Sequence, residues 1–263
     1  MKKTFISAIL FIVSIVFLFM FTACGRDNSN VNSNDNGENG GNSYNEEVFS
    51  ESLIYVLNDT ATGYIVTGIN DFNGTKLNLP SKYNNLPVTE IGDYAFYHCG
   101  GLLSITIPDS VSIIGKYAFS GCRSLVSVTM GSGVTNIEGW SFSGCNHLTS
   151  ITIPSSVTSI GDRAFEGCNK LVEVINKSSL TITKGGNYGD VGYFALTIHN
   201  GESEIVNKDG YLFYTYENKN YLLGYTGSAT KLILPDNYDG QNYEIYKYAF
   251  CECYHLADRK SVV

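Results

Sequence analysis

Leu102-Leu103-Ser104-Ile105-Thr106-Ile107-Pro108-Asp109-Ser110-Val111-Ser112-Ile113-Ile114-Gly115-Lys116-Tyr117-Ala118-Phe119-Ser120-Gly121-Cys122 is the stretch that decides the fold. Its last residue recurs every 23 positions, as Cys99, Cys122, Cys145 and Cys168. Phe96, Phe119, Phe142 and Phe165 keep the same step three residues earlier, and Leu102, Leu125, Leu148 and Leu171 keep it three residues later. Ile91, Ile114, Ile137 and Ile160 share the spacing. A fixed period in the range of roughly 20–50 residues means one unit stacked on copies of itself.

Within the unit, Leu102, Ile105 and Ile107 are apolar, while Ser104 and Thr106 alternate with the two isoleucines. Period two with β-branched residues predicts a short strand with one buried face. Leu125 to Met130 and Leu148 to Ile153 repeat it. Pro108, Gly131 and Pro154 end the strands, because Pro lacks an N–H and Gly loosens the backbone. Val111, Ile114, Ala118, Phe119 and Cys122 then point inward from a return arm. That arm is too short for a regular long helix, so turns and short 3₁₀ segments are expected on it. One unit has too few apolar side chains to offset the ordering of its backbone, so neighbours must cover both of its open faces.

The pattern Leu-x-x-Ile-x-Ile-Pro-x-x-Val-x-x-Ile-Gly-x-x-Ala-Phe-x-x-Cys resembles the BspA-type (Treponema-type) leucine-rich repeat, and residues 88–176 fit it four times in a row. Glu138 in place of Gly and Ser141 in place of Ala are the departures. The resemblance implies a β-rich repeat solenoid, a right-handed coil with a parallel sheet on its concave face. It also implies a bacterial surface protein engaged in adhesion and in host or matrix contact.

The flanks repeat as well. Lys76-Leu77-Asn78-Leu79-Pro80-Ser81-Lys82-Tyr83 returns as Lys231-Leu232-Ile233-Leu234-Pro235-Asp236-Asn237-Tyr238, and each copy runs into Ile-x-x-Tyr-Ala-Phe, at Ile91 to Phe96 and Ile245 to Phe250. A longer opening unit is therefore used twice, near residues 52–98 and 209–253. Between them the 23-residue step is lost. There Ser179 to Ile182 reads as a strand and Gly192 to Leu196 as a diverged Ala-Phe turn, within one irregular coil of the same solenoid. The expected organisation is a solenoid over 52–257, with regular units at 88–176, an irregular coil at 177–208 and a second block at 209–257.

Lys2 and Lys3, an apolar run from Phe5 to Phe21, and Thr22-Ala23-Cys24 resemble a bacterial lipoprotein signal over residues 1–23, with Cys24 lipidated. The alternatives are an ordinary signal peptide or an uncleaved anchor, and each reading places the remainder of the chain outside the cytoplasm. The expected localisation is therefore extracytoplasmic, lipid-anchored to the bacterial membrane and exposed at the cell surface. Residues 24–51 are mostly Asn, Gly, Ser and Asp, the composition of a flexible tether. Asp35, Gly37, Asn39, Gly40 and Glu46 mimic the spacing of a calcium loop, but position three lacks an oxygen ligand, so no metal is expected. At the other end, residues 258–263 (Asp258 to Val263) match one reading frame of a common sequencing adapter and are read as a non-native tail.

With 17 Lys and Arg against 25 Asp and Glu, the net charge is −8, which disfavours nucleic acid as a partner. Gly139-Trp140-Ser141-Phe142-Ser143 lacks the last Gly of a nucleophile elbow, and Ser141 falls on the core-facing Ala position. His98, His147, His199 and His255 have no metal-ligand spacing, and Cys251-x-Cys253 is too tight for a metal site. No enzyme, cofactor or metal is expected. The Cys ladder (Cys99, Cys122, Cys145, Cys168) and the Phe ladder (Phe96, Phe119, Phe142, Phe165) are assigned to the core. Buried free thiols are favoured there, although rungs about 4.8 Å apart also lie within disulfide range.

The candidate binding residues are Ser104, Thr106, Ser127, Thr129, Ser150 and Thr152, two hydroxyl rows on the concave sheet, with Glu173 closing one end. A solvated β face, on which Thr favours strands, is the plainer reading of the same residues. A dense run of Tyr after residue 188 offers either contact area or strand packing. The expected partner is an extracellular protein or glycan, with the membrane engaged through the lipid anchor. The remaining alternative is a spacer that carries a further C-terminal domain.

Overall fold

The computed structural model describes residues 52–250, apart from 71, 73, 187, 188, 228, 230 and 231. The leader with Cys24, the tether, Cys251, Cys253, His255 and the tail lie outside the described residues.

The chain opens with an antiparallel hairpin, β1 (Leu53–Leu57) and β2 (Tyr64–Ile69). β3 (Lys76–Asn78), β4 (Lys82–Tyr83) and β5 (Leu86–Ile91) come next. The regular coils then alternate a four-residue strand with a two-residue one: β6 (Ser104–Ile107), β7 (Ile113–Ile114), β8 (Ser127–Met130), β9 (Asn136–Ile137), β10 (Ser150–Ile153) and β11 (Ser159–Ile160). β12 (Glu173–Asn176) and β13 (Thr197–His199) extend the long-strand row. Last come β14 (Val206–Lys208), β15 (Tyr211–Tyr216), β16 (Lys219–Tyr225) and β17 (Tyr243–Ile245).

Two parallel rows run along the solenoid. The long strands form β3-β6-β8 and β10-β12-β13, in registers such as Ser104↔Ser127 and Ser150↔Glu173. The short strands β7, β9 and β11 continue from β2 and β5 as a second parallel row. This row stands where 3₁₀ segments were expected. Ile114, Ile137 and Ile160 turn inward there. Ser112, Thr135 and Thr158 each donate their hydroxyl to the carbonyl of the equivalent residue one coil earlier, at 3.1–3.3 Å. Those bonds hold the arm extended rather than coiled.

The core is the stack of Phe and Cys rungs. Phe96, Phe119, Phe142 and Phe165 are fully buried and lie nearly parallel, with centroids 5.1–5.2 Å apart. Cys122, Cys145 and Cys168 are free thiols that donate to the carbonyls of Phe96, Phe119 and Phe142 at 3.1–3.3 Å. Burial pushes the Cys122 thiol up to about 12 and raises that of Cys145 well above its usual value. Cys99 departs from the free-thiol expectation, because it is disulfide-bonded.

Each coil turns through a residue in the left-handed region just before its Ala or Ser rung: Tyr94, Tyr117, Trp140 and Arg163, with φ of 53–60°. Bulky side chains are uncommon there. Here they stack on one another, Tyr94 on Tyr117 at 4.9 Å and Tyr117 on Trp140 at 5.3 Å, and the Arg163 guanidinium lies 5.8 Å from the Trp140 ring. The ring contacts offset the strained backbone.

The irregular coil differs in detail from the sequence expectation. Residues 179–182 form no strand; β13 pairs with β12 instead, in the register Val174↔Ile198. The Phe165 N–H donates to Gly189 O, as the Phe142 N–H donates to Ala164 O. The turn of this coil spans residues 189–192, with Asp190 left-handed (φ 59°) as Arg163 is one coil earlier, and Val191 and Ala195 buried beside it. Extra residues in the return arm move the turn downstream of where a 23-residue step from Arg163 puts it.

Candidate functional site

The site is built on the solvent side of the long strands. Alternation places Ile105, Ile107, Val128, Ile151 and Ile153 inside and turns the intervening residues outward. Register then aligns one outward row as Lys76, Ser104 and Ser127, and a second as Asn78, Thr106 and Thr129. Thr106, Ser127 and Thr129 are exposed, while Ser104, Ser150 and Thr152 are half-buried. The row of long strands breaks between β8 and β10.

Beyond that break the outward rows change character. Glu173, in register with Ser150, is fully buried and offers no carboxylate to solvent. Its carboxylate accepts hydrogen bonds from Ser203 Oγ at 2.5 Å and from the Glu204 N–H at 2.8 Å, and His199 Nε2 lies at 3.3 Å. The segment after β13 thus folds back over this rung, which neither charge nor spacing announced. A carboxylate with several donors can be buried where an isolated one cannot.

A further row lies one residue before each strand: Leu103, Val126, Thr149, Val172 and Leu196. Their N–H groups track from coil to coil, Val126 to Leu103 O at 2.8 Å and Leu196 to Val172 O at 2.7 Å. At its far end this row is covered. Val172 is buried with Leu212, Tyr214 and Leu223 of the β15–β16 hairpin, and Val126, Leu196 and Ile205 pack at the edge of that cluster. Tyr214 OH meets Thr197 Oγ1 at 2.5 Å. The buried Lys170 donates from Nζ to Ala249 O at 2.8 Å, fastening the turn after β17 to the coils. At the near end the same row stays open.

Where the hairpin ends and the open rungs begin there is a cleft of about 580 Å³. Its floor carries Leu103, Val126, Ser104 and Ser127, and its wall carries Leu212, Tyr225 and Thr226. Lys76 and His147 stand in its lining. His147 Nδ1 lies 2.7 Å from Arg123 O, an acceptor, so that nitrogen carries the proton. Concave sites of this size suit a small ligand or one anchoring segment of a larger one.

Most of the Tyr-rich region is packing. Tyr214 is buried, Phe213 stacks on Tyr238 at 4.3 Å, and the Tyr211 and Tyr243 hydroxyls donate to Ile233 O and Pro235 O. Burial raises the pKa of each of Tyr211, Tyr214 and Tyr243 above the usual phenol value. Among the described residues, no group of three or more His, Cys, Asp or Glu is placed to hold a metal.

The sequence pattern of the BspA type leucine-rich repeat region matches residues 89–220, in six copies. No curated protein matches the chain. Among solved structures it is similar to a leucine-rich repeat protein of T. pallidum, with 25% identity, 59% of this chain and 82% of that one covered, and a TM-score of 0.47. It is also similar to a leucine-rich repeat protein of Bacteroides capillosus, with 29% identity, coverage of 49% and 96%, and a TM-score of 0.44. A third is a leucine-rich cell surface protein of Faecalibacterium prausnitzii, with 21% identity, coverage of 71% and 62%, and a TM-score of 0.39.

Proposed function

The chain belongs to the BspA type leucine-rich repeat family, and from that premise we propose that it is a surface protein that binds a macromolecule, by preference a protein, through its long-strand face. The observation that carries this reading is the open part of that face. Thr106, Ser127 and Thr129 stand exposed in register beside the cleft, on a backbone fixed by parallel pairing and by the Phe stack beneath it. A rigid, laterally extended surface is what a stack of coils offers a partner. Placement outside the cell is supported by the leader pattern, Lys2 and Lys3, the apolar run to Phe21, and Cys24 as the lipidated residue.

A glycan is the second reading, and the exposed hydroxyl rows favour it. A glycan array run beside a panel of extracellular-matrix proteins separates the two. Binding to a matrix protein that falls on Thr129→Lys supports the first; binding confined to glycans overturns it.

A further inference from the structure

We infer that the cleft between the open rungs and the β15–β16 hairpin seats an extended peptide segment whose alternate side chains are apolar and whose flank is acidic. The inference rests on the surface-binding reading and names the partner chemistry for one part of that surface.

The protein itself shows what this row of residues accepts. Leu103, Val126, Thr149, Val172 and Leu196 occupy the same position in successive coils, just before each long strand. The far end of this row is covered by a β-strand hairpin that presents Leu212, Tyr214 and Leu223. Leu212 and Tyr214 are alternate residues of β15, so they leave the same face of one extended strand. The near end has the same composition and less cover, since Val126 only meets the edge of that cluster and Leu103 is 37% exposed. An extended segment with aliphatic or aromatic side chains two residues apart repeats on Leu103 and Val126 what β15 does on Val172.

The lining also selects against the alternatives. Leu103, Val126 and Leu212 offer a sugar no hydrogen bonds, whereas a peptide side chain buries against them. Ser104 and Ser127 are placed to bond the peptide main chain. Electrostatics set the flank. Lys76 and His147 line the cleft and no carboxylate does, in a chain whose net charge is −8. Lys76 is exposed and forms no ion pair with any described residue. A partner carboxylate therefore meets a cation here and repulsion over most of the remaining surface.

The test pans a random peptide library displayed on phage against the full chain, then measures synthetic versions of the enriched peptides by fluorescence anisotropy. Enrichment of Leu, Phe or Tyr at alternate positions beside Asp or Glu is expected. Affinity should fall about tenfold on Lys76→Glu, where an opposite charge becomes a like one, and as far on Leu103→Glu. Thr158→Ala, on the other row, should leave it unchanged. Both cleft positions are exposed, so circular dichroism should show both variants folded. Enriched peptides with basic flanks, peptides indifferent to both substitutions, no enrichment, or displacement by oligosaccharides alone would each overturn the assignment. Failure here is separable from failure of the broader reading. A matrix protein that binds the wild type and both cleft variants equally removes the cleft and leaves surface binding standing. Acidic peptides that bind while no matrix protein does remove the matrix-binding reading and leave the cleft.

Discussion

The two opening hairpins of this protein are built alike and used differently. In the first, Tyr55 of β1 stacks on Tyr83 at 3.9 Å, and the Gly92 N–H donates to Val66 O at 2.8 Å. In the second, Phe213 of β15 stacks on Tyr238 at 4.3 Å, and the Tyr246 N–H donates to Leu222 O at 2.9 Å. The registers agree, Tyr55↔Val66 and Phe213↔Leu222, with a return strand parallel to the second arm in each. The neighbours of Tyr55 and Phe213 tell the other half. Ile54 and Val56 are 39% and 52% exposed, whereas Leu212 and Tyr214 are 7% and 1% exposed. One hairpin leads into the stack and leaves its outer face to solvent; the other lays that face on the edge row at Val172. The same local sequence logic therefore yields a cap in one place and a cover in the other. The difference lies in what the rest of the chain brings against it.

Substitutions can break or sharpen this contrast, and the stack under both hairpins sets the scale. Phe142→Ala removes a fully buried ring between two others and should lower unfolding free energy by about 3–5 kcal/mol, read from urea melts. Tyr214→Ala should approach that, about 3 kcal/mol, because it empties the cluster with Val172 and strands the Thr197 hydroxyl. A loss below ~1 kcal/mol would mean that the second hairpin only rests on the coils. Ser141→Ala should act in the opposite direction. The Ser141 hydroxyl is buried with no hydrogen-bond partner among the described residues, where neighbouring coils carry Ala118 and Ala164. A gain of about 1 kcal/mol is expected in the same melts. Val56→Ala, the counterpart of Tyr214→Ala, should cost under ~0.5 kcal/mol. Equal losses at Val56 and Tyr214 would erase the distinction between cap and cover.

Much of this was legible in advance, for a physical reason. A repeat multiplies weak signals, so the Phe, Cys, Leu and Ile rungs announced their burial by recurring at one spacing. Ser141 was readable as core-facing because its position belongs to Ala elsewhere. The turn ladder Tyr94, Tyr117, Trp140 and Arg163 carries the same spacing, three aromatic residues and an arginine, and it came to light only as a stack. The Ser and Thr rows were legible as outward-facing by alternation. Glu173 was not legible as buried, because its donors come from His199, Ser203 and Glu204, outside the periodic part of the chain.

By itself, then, the order of residues settled the coil, its inward rungs and the existence of two related opening units, since each follows from contacts at a fixed and short separation. Tertiary structure alone decided which part of the outward face stays open. That depends on where a hairpin from one end of the repeat array comes to rest on coils formed much earlier in the chain. No periodicity encodes a contact made once.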